Sequence, residues 1–132
     1  MMTGRQSTDD AVYQAIQHVL EESALAWSTG DLAAFMQCYE NSPATVYLAS
    51  TQVVYGYNAI HSMYAERLSE SGPLQPLKMT LLHVSRLGTK HALAIGRFAL
   101  ESSGSAASRT GVWSLVLHDT DAGWRICADH TS

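Results

Sequence analysis

The sequence predicts an α+β fold, with helices gathered in the first half of the chain and an antiparallel sheet in the second. Two patterns carry that prediction. Apolar residues recur three and four apart up to Leu68, and from Leu77 onward β-branched and aromatic runs follow one another through short polar links. Size and composition agree with it. A chain of 132 residues, 46% hydrophobic and 15% charged, packs as one domain and does not stay disordered. The expected division is a flexible N-terminus over residues 1–8 and a single domain over 9–132.

Ser7-Thr8-Asp9-Asp10 has the form of a helix start, a hydroxyl cap with carboxylates in the first turn. Tyr13, Ile16, Leu20, Ala24 and Trp27 then supply one buried stripe, and Gly30 ends the helix. Asp31 is placed to cap a second helix whose buried face is Leu32, Phe35, Met36 and Tyr39, stopped by "ENSP". "ATVYLAS" and "QVVYGY" read as a hairpin. Asn58 is expected to cap a third helix carrying Ile60, Met63, Tyr64 and Leu68, which "SGP" terminates. "LKMTLLHVSRL", "HALAIGRFAL", "RTGVWSLVLHD" and "WRICADHT" follow as strands, joined by Gly88-Thr89, "SSGSAAS" and "TDAG". Links this short make an antiparallel meander.

In "HALAIGRFAL" and "GVWSLVL" both faces are apolar, whereas a sheet with one wet side alternates. Three helices cover one face only, so the other is expected to meet a second copy in a two-fold homodimer.

A net charge of −4, with eight Lys and Arg scattered singly, argues against nucleic acid or an anionic membrane as partner. No run reaches the ~20 apolar residues a bilayer span requires. "MMTGRQSTDD" has no apolar stretch behind its Arg, so no secretory signal is expected. Cys38 and Cys127 lie far apart and outside any zinc spacing. They read as reduced, buried thiols in a cytoplasmic protein. No two histidines have metal-ligand spacing, and no nicotinamide, flavin or nucleotide motif is present. Neither metal nor cofactor is therefore expected.

The order of two helices, a hairpin, a third helix and a four-stranded meander, with "WSTGDLAAFMQCYENSPATV", "GYNAI" and the closing "GWRICADHTS", resembles the nuclear transport factor 2-like superfamily. Within it the chain is similar to the SnoaL-like and SgcJ/EcaC-type proteins, and to the association domain of calcium/calmodulin-dependent protein kinase II. The resemblance covers about residues 9–132 and implies a curved sheet wrapped around helices into a cone, usually dimeric through the sheet's outer face. Such cones host isomerases, cyclases, dehydratases and members without chemistry, so fold alone does not give function. The ketosteroid isomerase groups that the resemblance would bring are absent. Tyr47 and Leu48 stand where the base would follow the first strand, Ser23 near the oxyanion Tyr, and Val112 and Trp113 near the protonated Asp.

SnoaL-type cyclases use an acid–base Asp deep in the cone, and the one carboxylate set into an apolar strand here is Asp129. The cation set likewise is Arg97, which matches a pocket Arg of the kinase association domain, although that domain's other arginines are not matched. Arg97 and Asp129 are expected to face the cone interior, with His130, Tyr47 or Tyr55 as neighbours. In one reading Arg97 fixes a ligand while Asp129 or His130 acts as general acid or base. In the other the pair is a buried salt bridge that sets strand register. Alternation along the strand puts Asp129 and His130 on opposite faces unless a bulge intervenes. His83 reads as a core or interface histidine, and His18, His61, His91 and His118 as solvent-facing.

Trp27, Tyr47, Tyr55, Tyr57, Tyr64 and Trp113 read either as core packing or as an aromatic pocket with polar tips. The function expected is a cone that binds a small hydrophobic or weakly acidic molecule and acts on it, if at all, by acid–base chemistry. The alternatives are a protein–protein association module and a structural dimer with a vestigial cavity.

Overall fold

The computed structural model describes residues 3–70, 75–104 and 106–132, with side chains described from Asp9 onward. The elements are α1 (Thr3–Ser28), α2 (Leu32–Met36), β1 (Val46–Ala49), β2 (Gln52–Tyr55), α3 (Tyr57–Glu70), β3 (Leu77–Arg86), β4 (His91–Leu100), β5 (Arg109–Thr120) and β6 (Gly123–Thr131). Six strands form one curved, unclosed sheet in the order β2-β1-β6-β5-β4-β3, with the helices on its concave side. The α+β cone that the sequence leads one to expect is the fold observed.

Helix α1 is already helical at Thr3, ahead of the Ser7–Asp10 start; the Ser7 and Thr8 side chains lie outside the described residues. Its buried stripe is Val12, Ile16, Val19, Leu20, Ser23 and Ala26. Ala24 and Trp27 sit at the edge of that stripe, half-buried. Gly30, at φ +74°, ends the helix as expected. Asp31 caps α2, its carboxylate accepting from Ala34 N at 3.1 Å. Helix α3 starts one residue before Asn58. Gly56, at φ +91°, turns the chain, and its carbonyl accepts from Ile60 N at 3.1 Å, so the glycine does the capping. The "SGP" that should stop α3 lies outside the described residues.

Strands β3 to β6 form the expected meander. The parallel pairing of β1 with β6, Tyr47 opposite Asp129, is an addition. Spacing along the sequence cannot show it, because the two segments are joined through the rest of the sheet. One irregularity decides which side chains of β6 face in. On β6 the register shifts between Val116 and Leu117, leaving Cys127 as an extra residue. Ile126 and Asp129, three positions apart, both point inward because of that bulge.

On β4 and β5 the large inner aromatics lie over glycines of the neighbouring strand, Trp113 over Gly96 and Phe98 over Gly111. A Cβ on Gly96 would fall on the Thr80 carbonyl oxygen and the Trp113 ring. Gly96→Ala is therefore expected to destabilise the fold by about 1–3 kcal/mol, read from urea unfolding, because neither the strand backbone nor the buried indole can yield. No helix among the described residues is long and apolar enough to cross a membrane.

Candidate functional site

Between the helices and the inner sheet face lies a cavity of about 700 Å³. Its walls are aromatic: Trp27 from α1, Phe35 from α2, Tyr47 from β1, Tyr64 from α3, Phe98 and Trp113 from the sheet. Tyr64 is the hub of this cluster. Its ring lies 4.9 Å from Phe35 and 5.7 Å from both Trp27 and Tyr47, each edge to face.

Asp129 is the carboxylate among these rings, 5% exposed. The Tyr39 hydroxyl donates to its Oδ2 at 2.5 Å and the Thr131 hydroxyl donates to its Oδ1 at 2.6 Å. Tyr39 reaches this place because the chain after α2 bridges to β6: Glu40 N donates to Ile126 O and Ile126 N to Cys38 O, both at 2.8 Å. The Tyr64 hydroxyl stands 3.2 Å from that of Tyr39. Tyr39 spends its one proton on Asp129, so Tyr64 donates to Tyr39 and a chain Tyr64–Tyr39–Asp129 results.

Burial pushes the Asp129 carboxyl above the usual carboxylate range, and the Thr131 and Tyr39 hydroxyls pull part of the way back. Burial first, and then the Asp129 charge, hold the Tyr39 and Tyr64 hydroxyls well above the usual tyrosine value. Both therefore remain donors at neutral pH.

Arg67 enters from the last turns of α3. It donates to the Tyr47 hydroxyl at 3.2 Å, and its Cζ stands 5.4 Å from the ring centroids of both Tyr47 and Tyr64. Burial opposes the cation, but hydrogen bonding to Tyr47 and the surrounding phenols outweigh it and raise the guanidinium's proton affinity. At the mouth Arg109, exposed, lies over Phe98 at 5.7 Å.

Of the expected site residues, Asp129, Trp27, Tyr47, Tyr64 and Trp113 meet in the cavity. Arg97, His130 and Tyr55 do not. Arg97 is exposed on the outer sheet face, because β4 alternates and Ala94, Gly96 and Phe98 take the inner positions. It makes no salt bridge with Asp129. His130, next to an inward Asp129, points outward for the same reason and is exposed. Tyr55, on the edge strand, is 73% exposed. His83 is likewise exposed, 3.2 Å from Ser85 Oγ, and is no core residue. His118 is half-buried, 3.0 Å from Glu40 and stacked on His91 at 4.6 Å, where solvent was the expectation.

Tyr39, Arg67 and Thr131 carry the polar geometry and were not among the expected site residues. A signal existed for Arg67: it stands three residues after Tyr64 and so shares its helix face. Ser23, a position where the resemblance would place an oxyanion Tyr, does line the cavity, with a hydroxyl in place of a phenol.

The family model of the SnoaL-like domain matches residues 16–132. This chain belongs to the SnoaL-like domain family. Among solved structures the SnoaL-like chain is similar to a nuclear transport factor 2-like protein of unknown function from Shewanella oneidensis MR-1, with 27% identity, a TM-score of 0.83, and coverage of 91% of this chain and 98% of that one. Two further similarities show the fold alone. A candidate calcium/calmodulin-dependent protein kinase type II association domain from Thiobacillus denitrificans has 17% identity and a TM-score of 0.75, covering 88% and 92% of the two chains. A candidate dehydratase of the nuclear transport factor 2-like family from Streptomyces avermitilis has 17% identity and a TM-score of 0.75, covering 93% and 96%. No curated protein matches the chain significantly.

Proposed function

We propose that this SnoaL-like protein binds a small, largely hydrophobic molecule in its aromatic cavity and moves a proton on it with Asp129. One observation carries the reading: a buried carboxyl among aromatic walls, bonded to a tyrosine pair that stays protonated. A carboxyl whose proton affinity is raised by burial works closer to neutral pH as an acid or base than an exposed one. Tyr39 and Thr131 orient it, and the rings exclude water from the bound molecule. Isomerisation, cyclisation and dehydration all need such a group, and the Streptomyces relative, named as a candidate dehydratase, is consistent with that class.

The test is exchange of deuterium from solvent into an enolisable apolar ketone, 2-tetralone, followed by NMR. The protein is expected to accelerate exchange. Binding without acceleration would leave a binding protein and remove the acid–base role.

The outer sheet face supports a companion reading, a homodimer through the sheet. Val112 is 48% exposed and Ile95 38% exposed on adjacent strands of that face, where a lone subunit would leave them wet. Val112→Arg is expected to convert a dimer to a monomer in analytical ultracentrifugation; a wild type that sediments as a monomer would contradict the homodimer. Both cysteines are free thiols, in keeping with a reducing, cytoplasmic setting.

A further inference from the structure

We propose, resting on that reading of the cavity, that the molecule it takes is a carboxylate: a flat apolar body among the aromatic rings, with its anionic end held by Arg67.

The hydrogen-bonding groups around the cavity are unevenly divided between donors and acceptors. Each oxygen of Asp129 already accepts from a hydroxyl of the protein itself and keeps one further lone pair, the one that would take the ligand's proton. The donors are not matched in the same way. The Arg67 guanidinium offers five N–H groups, and among the described residues its one hydrogen-bond acceptor is the Tyr47 hydroxyl. No carboxylate pairs with it: the ion pairs of the described residues are His18–Glu22 and His118–Glu40, both elsewhere. Arg109, exposed at the cavity's edge, adds a second cation that is in no ion pair among the described residues. Glu70, the exposed carboxylate at the rim, pairs with neither arginine.

The guanidinium keeps N–H groups to spare after Tyr47, and a cavity with surplus donors selects a molecule that brings acceptors. The geometry favours a carboxylate in particular. Tyr47 and Tyr64 both lie against the guanidinium, so its fork is held in place and not left to swing, and a planar fork matches a planar carboxylate through two parallel hydrogen bonds. A neutral ligand would leave the fork unfilled. A cationic one would face it directly.

The placement also relates the two ends of the molecule. Arg67 packs on the Tyr64 ring, and the Tyr64 hydroxyl leads through Tyr39 to Asp129. The anionic end and the carbon that exchanges its proton therefore sit on either side of one tyrosine, as an unsaturated or aromatic acid of modest length would require.

The test uses three probes of one shape and different charge: 2-naphthoate, 2-naphthamide and 2-naphthylmethylammonium, titrated calorimetrically. Wild-type protein is expected to bind the naphthoate about tenfold or more tighter than the amide, and the ammonium weakest. Arg67→Gln is expected to bring naphthoate and amide to equal affinity, the naphthoate losing the more. Equal binding of the naphthoate and amide by wild type overturns the carboxylate assignment and leaves the cavity reading standing. A preference that survives in a folded Arg67→Gln overturns Arg67 as its source. Failure of all three probes to bind removes the ligand cavity itself. The wild-type series stands without the variant, should Arg67→Gln not fold.

Discussion

Asp129→Asn is expected to lower protein-accelerated deuterium exchange into 2-tetralone by about 10²–10⁴-fold, the usual share of a positioned acid or base. Asparagine keeps the shape of the side chain and one acceptor oxygen for the Tyr39 or Thr131 hydroxyl, but it can neither take nor give the proton. Affinity for 2-tetralone should change little, because the aromatic walls that hold it remain.

The same substitution has an opposite effect on stability. Burial raises the carboxyl's proton affinity in the folded state above that of the unfolded chain, so the folded protein is penalised whenever the group is ionised. That penalty is fully present above the folded pKa. It is relieved as pH falls from there toward the ordinary carboxylate value, and it is gone below it. Asp129→Asn is therefore expected to match or exceed wild-type stability at neutral pH and to lack the wild type's gain on mild acidification, both measured by urea unfolding across pH. A variant that is strongly less stable at neutral pH would show that the carboxylate holds the fold together and is no cost carried for chemistry.

Tyr64→Ala is expected to be the most destabilising single change in the cavity wall, by about 3–5 kcal/mol, as for removal of a large buried ring. The Tyr64 ring touches Trp27, Phe35, Tyr39 and Tyr47, which come from α1, α2, the α2–β1 connection and β1, so its loss loosens the helices from the sheet at once. It also frees Arg67 from one of its two rings. Tyr64→Phe separates packing from hydrogen bonding. It keeps the ring and removes the outer link of the chain to Asp129, at a cost of about 1 kcal/mol. Equal losses for the two variants in urea unfolding would contradict the packing account.

The fold was legible because its signals are local: helical spacing in α1 to α3, a glycine stop at Gly30, a carboxylate cap at Asp31, and short links between strands. The site was legible only in part. Asp129 stood out as a lone carboxylate in an apolar strand, but which way it pointed depended on the Cys127 bulge, which leaves no mark in the residue pattern. Arg97 misled for a related reason. Both faces of "HALAIGRFAL" are apolar, so alternation could not say which was inner, and the strand's inner face proved to be that of Ala94 and Phe98. Tyr39 was visible as a core residue of the second helix. Its role comes from a bridge to a strand 87 positions further along, at Ile126, which spacing within the helix cannot reveal.

The proposed chemistry requires a proton held at one carboxyl inside a hollow that a ligand can enter. The most direct measurement is a ¹³C NMR titration of the Asp129 carboxyl carbon, assigned by its loss in Asp129→Asn, with and without 2-tetralone. A midpoint above the ordinary carboxylate range, moved further by the ligand, is the result predicted. Titration at the ordinary value, or a midpoint indifferent to ligand at saturating concentration, would contradict it.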